Sequence, residues 1–188
     1  MIVAFSTSSP WTSVALLTAE GKVLATEKSL APMRASEACL SLLEALSVDL
    51  TMVSMFVSDL GPGSFTGVRV GVTIAKTLAF ARSVKVAGLA SFDLIAPDQT
   101  VAIPSKKGEY FVRTPGQVPV RMVERPSGNL VGFGPWFEGV ETFPDASAFG
   151  PTVGRLIAME PEALIPLYLM EPSITQPKKP FATGDPVA

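Results

Sequence analysis

The chain contains no histidine and a single cysteine, Cys39. The first absence excludes Ser-His-Asp and Cys-His catalysis, histidine-ligated zinc and imidazole acid–base chemistry. The second excludes an internal disulfide. Charge is also scarce: Asp, Glu, Lys and Arg make up 17% of the 188 residues, against about 25% in an average soluble domain. The net charge of −2 offers no broad basic face for nucleic acid. No uninterrupted apolar run approaches the roughly 18 residues of a membrane helix. The opening "MIVAFSTSS" has no basic region of the signal-peptide kind, so a cytoplasmic protein without a membrane partner is expected.

Proline is nearly missing from the first half. Pro10, Pro32 and Pro62 precede residue 97, and the other fourteen of the seventeen follow. Regular architecture is therefore expected in 1–96, and a smaller, Pro-rich unit of short strands and turns in 97–188. What the chain does have is apolar residues, 47% of the total, and a mean hydropathy of +0.38. Such a chain buries a large fraction of itself or keeps an apolar surface for a partner.

Patterning predicts strands over 2–5, 11–17 and 22–28, a helix over 33–46, a strand over 52–57, a helix over 64–81, a strand over 84–89 and a short helix from Ser91. The order β-β-β-α-β-α-β-α describes an antiparallel meander feeding parallel crossovers, an α/β arrangement typical of a ribonuclease-H-like half-domain. In the second half, strands are expected within 100–105, 109–113, 118–124 and 129–134, a turn at 126–128, and a helix over 152–159.

The densest signal is "GPGSFTGVRVG", residues 61–71. It fails each enzymatic template on a named residue. A Walker A loop needs Lys after its last glycine, and Val68 follows Gly67. A dinucleotide fingerprint needs a third glycine where Thr66 stands. A nucleophile elbow needs G-x-S-x-G, and Ser64 sits directly after Gly63 without a histidine base. Two readings stay open. Gly61, Gly63, Ser64 and Thr66 hold an anion at a helix N-terminus, or they shape a tight turn that Ser64 caps. Asp59, at the preceding strand end, reads as a turn-stabilising carboxylate.

In the helix that follows, Gly67, Gly71, Ala75 and Ala79 recur at every fourth position and form a smooth ridge. A glycine inside a helix costs about 1 kcal/mol relative to alanine, and a close backbone approach is the natural compensation. Val68, Val70, Val72, Ile74, Leu78 and Phe80 occupy the other sides, so two buried surfaces are expected. The first helix carries a matching stripe of Ala35, Ala38, Cys39, Leu42 and Leu46. These five, together with Gly67, Val68, Gly71, Val72, Ala75 and Ala79, are the candidate partner-binding residues. Cys39 has no basic neighbour in sequence to lower its pKa and reads as a packing residue.

With "STSS" closing the first strand and "GLASFDLIA" following, the segment resembles the TsaB (YeaZ-type) family, subunits of bacterial tRNA threonylcarbamoyladenosine synthesis and degenerate relatives of TsaD. The resemblance runs over about residues 1–92. Beyond it, "KKGEYFVR" at 106–113 resembles the family's hairpin and "PLYL" at 166–169 its closing segment. The resemblance implies an actin-like fold of two ribonuclease-H-like lobes, the second reduced here. It implies a non-catalytic subunit that binds a TsaD-type catalytic subunit through its two helices and works with a TsaE-type ATPase. On that view tRNA is contacted only within the complex, the isolated chain is a homodimer, and no cofactor or metal is held. Where the family's first-strand motif carries Asp, this chain has Ser6. The competing readings are an actin-fold ATP-binding enzyme of the kinase or carbamoyltransferase kind, and, behind it, a peptidase. The enzyme needs acidic residues to hold Mg²⁺; the peptidase lacks a histidine base.

Overall fold

The computed structural model describes residues 1–106 and 108–169. The first half forms β1 (Ile2–Ser6), β2 (Trp11–Leu17), β3 (Val23–Leu30), α1 (Ala35–Ala45), β4 (Met55–Asp59), α2 (Phe65–Arg82), β5 (Lys85–Leu89) and α3 (Ser91–Ile95). This is the order expected from patterning. The strands make one sheet in the order β3-β2-β1-β4-β5. The meander β1–β3 is antiparallel, while β4 runs parallel to β1 and β5 parallel to β4.

β1 is buried throughout because both faces of the sheet are covered. Its side chains alternate. Val3 and Phe5 join Val14, Phe56 and the underside of α2 in one cluster. Ile2 and Ala4 join Ala15, Leu17 and Val57 in another. The second cluster is closed by residues from far along the chain, Ala146 and Phe149. They lie in a short 3-10 turn, Ala146–Phe149, whose Ala146 N–H donates to Ser13 Oγ on β2 at 2.9 Å.

A second sheet contains β6 (Val101–Pro104), β7 (Tyr110–Arg113), β8 (Val120–Met122) and β9 (Val131–Gly132), in the order β8-β7-β6-β9. Three expectations need correction. The strand expected over 52–57 begins only at Met55, because Asp49 accepts the Thr51 N–H at 2.9 Å and holds Leu50–Met52 in a 3-10 turn. β8 and β9 are shorter than expected; Pro119 lacks the N–H a ladder needs, and Gly132 has a φ of +149°. The helix expected over 152–159 is a single 3-10 turn, Val153–Arg155. Met159 exchanges backbone hydrogen bonds with Val86 on β5 instead, at 2.8 and 3.0 Å.

α2 begins at Ser64, whose Oγ accepts the Gly67 N–H at 3.2 Å, and ends at Ser83 in the left-handed region. Its ridge faces the sheet. Gly67, Val68, Gly71, Val72, Ala75 and Ala79 are all buried inside this chain. A Cβ on Gly67 would strike the Thr7 carbonyl oxygen, and one on Gly71 would lie 2.5 Å from Thr7 Oγ1 and 3.0 Å from Ser58 Oγ. The second covering of α2 also comes from this chain. Segment 159–168 runs antiparallel along the helix as a strap. Lys76 Nζ donates to the carbonyls of Glu162 at 3.2 Å and Leu164 at 3.0 Å, and Leu164 itself is buried in the core under α2. The Leu167 N–H donates to the Leu60 carbonyl at 2.7 Å, and Tyr168 stacks at a tilt on Phe65 with centroids 5.5 Å apart.

α1 is less enclosed than its sequence suggested. Cys39 is its one fully buried residue; Leu42 and Leu46 pack partly against the core, and Leu40 is 49% exposed. The helix lies outermost, so only one stripe meets the interior.

The close approach of α2 makes a direct prediction. Gly67→Ala should lower stability by about 1–3 kcal/mol, because the new methyl meets a backbone carbonyl that cannot turn aside. Gly71→Leu should cost more than its gain of about 1 kcal/mol in helix propensity. Thermal and urea unfolding of both variants check this; unchanged midpoints would mean that α2 does not rest on β1 at glycine distance.

Candidate functional site

In an open parallel sheet, ligands bind beyond the carboxyl ends of the strands, where successive connections leave in opposite directions. Here that point lies between β1 and β4. The chain leaves β1 toward β2 on one side and leaves β4 through α2 toward β5 on the other. Two segments converge there, residues 7–10 after β1 and 60–64 after β4.

They meet each other with no gap between them. The Ser64 N–H donates to the Ser8 carbonyl at 2.7 Å. Gly63 has a φ of +155°, and a Cβ there would collide with the same carbonyl oxygen. Thr7 Oγ1 donates to the Gly67 carbonyl at 2.8 Å. The Gly61 N–H donates to Asp59 Oδ1 at 2.9 Å. Of the four residues considered for an anion, Gly61 and Ser64 have their amides committed within the chain, Gly63 is pressed against Ser8, and Thr66 is exposed on the helix surface. The turn is therefore held by internal bonds of the kind expected from a shaping and capping role.

Asp59 is the centre of this junction and is fully buried. Four donors surround its carboxylate. Ser6 Oγ reaches Oδ2 at 2.9 Å, Ser8 Oγ also donates to Oδ2, Ser91 Oγ reaches Oδ1 at 2.5 Å, and the Gly61 N–H supplies the fourth. The network ties β1, β4, the glycine turn and the first residue of α3 together. Burial raises the Asp59 pKa above its ordinary value of 3.8, and the bonds from Ser8, Ser91, Gly61 and Ser6 pull it back only in part. The turn-stabilising role expected of Asp59 is present in its bond to Gly61. The part played by Ser91 was not legible, since thirty-two residues separate it from Asp59.

The candidate partner-binding residues are placed as follows. Cys39, Gly67, Val68, Gly71, Val72, Ala75 and Ala79 are in the core. Ala35, Ala38, Leu42 and Leu46 are half-buried. Of the two close approaches the ridge on α2 allowed, to the sheet or to a partner, the one present in the chain is to the sheet, and small residues there let the helix reach it. The Cys39 thiol is pushed up to about 12 by burial, which leaves it protonated and unreactive in the native protein. The outward side of α2 presents Thr66, Arg69, Thr73, Thr77, Phe80 and Ala81. Arg69 lies over the Phe65 ring, 5.4 Å from its centroid. An open groove of about 390 Å³ runs between the carboxyl end of β3 and the start of α1, lined by Ser29, Leu30, Pro32, Arg34, Glu37 and Ser41 among others.

Residues 33–108 match the family model described as "TsaD: tRNA N6-adenosine threonylcarbamoyltransferase". Over 98 residues the chain is 36% identical to the tRNA threonylcarbamoyladenosine biosynthesis protein TsaB of Bacillus subtilis (strain 168). That match takes in 50% of this chain and 43% of the relative, so the chain spans less than half the length of the curated protein it matches. Two solved structures from Pseudomonas aeruginosa share the fold. One is described as an uncharacterized protein with similarity to peptidase YeaZ; it has a TM-score of 0.78 at 22% identity, over 90% of this chain and 99% of that one. The other, YeaZ, has a TM-score of 0.70 at 22% identity, over 89% and 99%. The resemblance read from "GPGSFTGVRVG" is borne out: the curated relative is a TsaB, the structural neighbours are of the YeaZ kind, and the family model is that of TsaD.

The burial of Asp59 has a pH signature. Between its ordinary pKa and its raised native one, the folded state binds more protons than the unfolded state, so this group's contribution to stability falls as pH rises through that window. In Asp59→Asn the contribution disappears. Urea titrations at pH 4.5 and 7.5 should show the native protein ahead of the variant by a margin that narrows at the higher pH. A margin that stays constant or widens would show that the four donors outweigh desolvation.

Proposed function

We propose that this chain is a non-catalytic partner subunit of the machinery that makes N6-threonylcarbamoyladenosine in tRNA, binding and supporting a TsaD-type catalytic subunit. The observation that carries the reading is the closed junction at the strand ends. The space where a phosphate would rest is taken by the Thr7 and Ser8 backbone, and the acid that would face a metal, Asp59, already accepts four hydrogen bonds. A carboxylate so saturated has little capacity left for Mg²⁺. The same junction weighs against an ATP-binding enzyme of the actin-like class, and the lack of histidine weighs against a peptidase.

In this reading the architecture is actin-like, with residues 1–96 as the first ribonuclease-H-like lobe and 97–188 as a reduced second one. Docking uses α1 and α2, through the side of α2 turned away from the sheet. That side is rich in small uncharged groups, Thr73, Thr77 and Ala81, with Phe80 71% exposed beside them. Depletion of charge at the centre with an aromatic anchor is the usual make-up of an interface core. In isolation the same face is covered by a second copy. A TsaE-type ATPase joins the complex, and tRNA is met only there. The chain is taken to work in the cytoplasm; among the described residues no helix is long and apolar enough to cross a membrane.

Co-purification with the TsaD-type protein of the same host tests the proposal, and failure to form a complex at micromolar concentration would sink it. Thr73→Arg should weaken that complex at least about tenfold, a loss of about 1.4 kcal/mol, and shift the isolated chain from dimer to monomer with little change in melting temperature. Calorimetry with Mg-ATP should show no binding. A dissociation constant at or below about 10 μM, near −7 kcal/mol, would restore the enzyme reading.

A further inference from the structure

Between the two sheets the chain passes through α3 and the residues after it, 96–99. Ala96 is extended, Pro97 follows, and Asp98 and Gln99 are exposed. A short stretch at the end of an element is where a hinge normally forms. Here Phe92 and Ala96 pack in an apolar cluster with Val101, Ile103 and Phe111 of the second sheet and Phe133 beside it, contacts that fix no angle by hydrogen bonds, and one charged side chain from that sheet grips the backbone. Arg113, at the end of β7, donates from Nη1 to the Pro97 carbonyl at 2.7 Å and from Nη2 to the Ala96 carbonyl at 3.2 Å. The same Nη2 lies 3.6 Å from Asp93 Oδ1 on α3, and the guanidinium carbon is 5.7 Å from the Phe92 ring centroid. Arg113 is only 9% exposed. A third segment joins from the returning chain, where Arg155 stands 3.5 Å from Asp93 and 3.3 Å from Asp98.

We propose that Arg113 is a latch that turns the 96–99 crossover from a hinge into a fixed joint, holding the second sheet in one orientation on the first. The physical case rests on the fork. A planar guanidinium reaches two carbonyls and a carboxylate at once, which an ammonium point charge does not. Its site at the end of α3 is where carbonyls lack helical partners and positive charge is favoured. Burial protects these bonds from salt, whereas the exposed Arg155 pairs are screened and contribute little. With the latch closed, the chain does not open and shut around its strand ends. It presents a single rigid surface.

The test uses the full chain with spin labels on cysteines placed at Glu27, on β3, and Glu124, beyond β8, both exposed, diluted into excess unlabelled chain so that only distances within one chain are read. Cys39 is fully buried and does not compete for label in the native state. The unaltered latch should give one narrow distance distribution. Arg113→Gln should broaden or shift it, and should speed amide exchange at Ala96 and Gln99 by about tenfold while leaving Phe56 in β4 unchanged. Arg155→Gln should leave the distribution narrow at all salt concentrations. Arg113→Lys, which keeps the charge and loses the fork, serves as the second variant if the glutamine form does not fold, and it too should broaden the distribution. A narrow, unshifted distribution in a folded Arg113 variant overturns the proposal. So does broadening in Arg155→Gln equal to that in Arg113→Gln.

Discussion

Helix α2 rests on the sheet through glycine: Gly67 meets the Thr7 carbonyl directly, and Gly71 meets only the small hydroxyls of Thr7 and Ser58. Much else follows from that contact. The glycine turn must deliver the helix at this height, which brings the Ser64 amide onto the Ser8 carbonyl and lets Ser64 cap the first turn. The helix in turn covers Val3, Phe5, Val14 and Phe56, making the upper core one continuous cluster. The helix-propensity cost of Gly67 and Gly71, about 1 kcal/mol each, is offset by the area this approach removes from water.

The same contact decides the electrostatics at the strand ends. With the two loops closed on one another, Asp59 is fully buried and its pKa rises. Its two oxygens are nevertheless well supplied with donors, three serine hydroxyls and one amide. A buried carboxylate supplied this way favours one arrangement of four segments over its alternatives, since any slip leaves a charge without partners. The position where open parallel sheets hold a ligand is here a structural joint.

The remaining half of the chain completes the first sheet as well as forming the second. Ala146 and Phe149 close the lower core, Met159 pairs with the β5 edge, and the strap through Leu164 and Tyr168 flanks α2. An uncovered β5 edge would present free backbone groups for unwanted pairing. The returning segment removes that hazard with a single bridge and an ion pair between Lys85 and Glu160.

By itself the sequence determined the element order of the first 95 residues, the place of the turn at 61–64, the exclusion of histidine chemistry and the family likeness. Periodicity, breaker residues and composition are local properties, and they survive into the fold because each agrees with its neighbours. The tertiary structure alone decided which way the Gly67–Ala79 ridge faces, because a smooth helical stripe fits a sheet and a partner helix equally well. It decided that the second cover of α2 is the chain's own strap, brought back from more than seventy residues away by Lys76 and Leu164. It also drew Ser6, Ser8 and Ser91 onto Asp59. Serines are common and carry no spacing signal, so only the meeting of β1, β4 and α3 in space gives those three hydroxyls their shared acceptor.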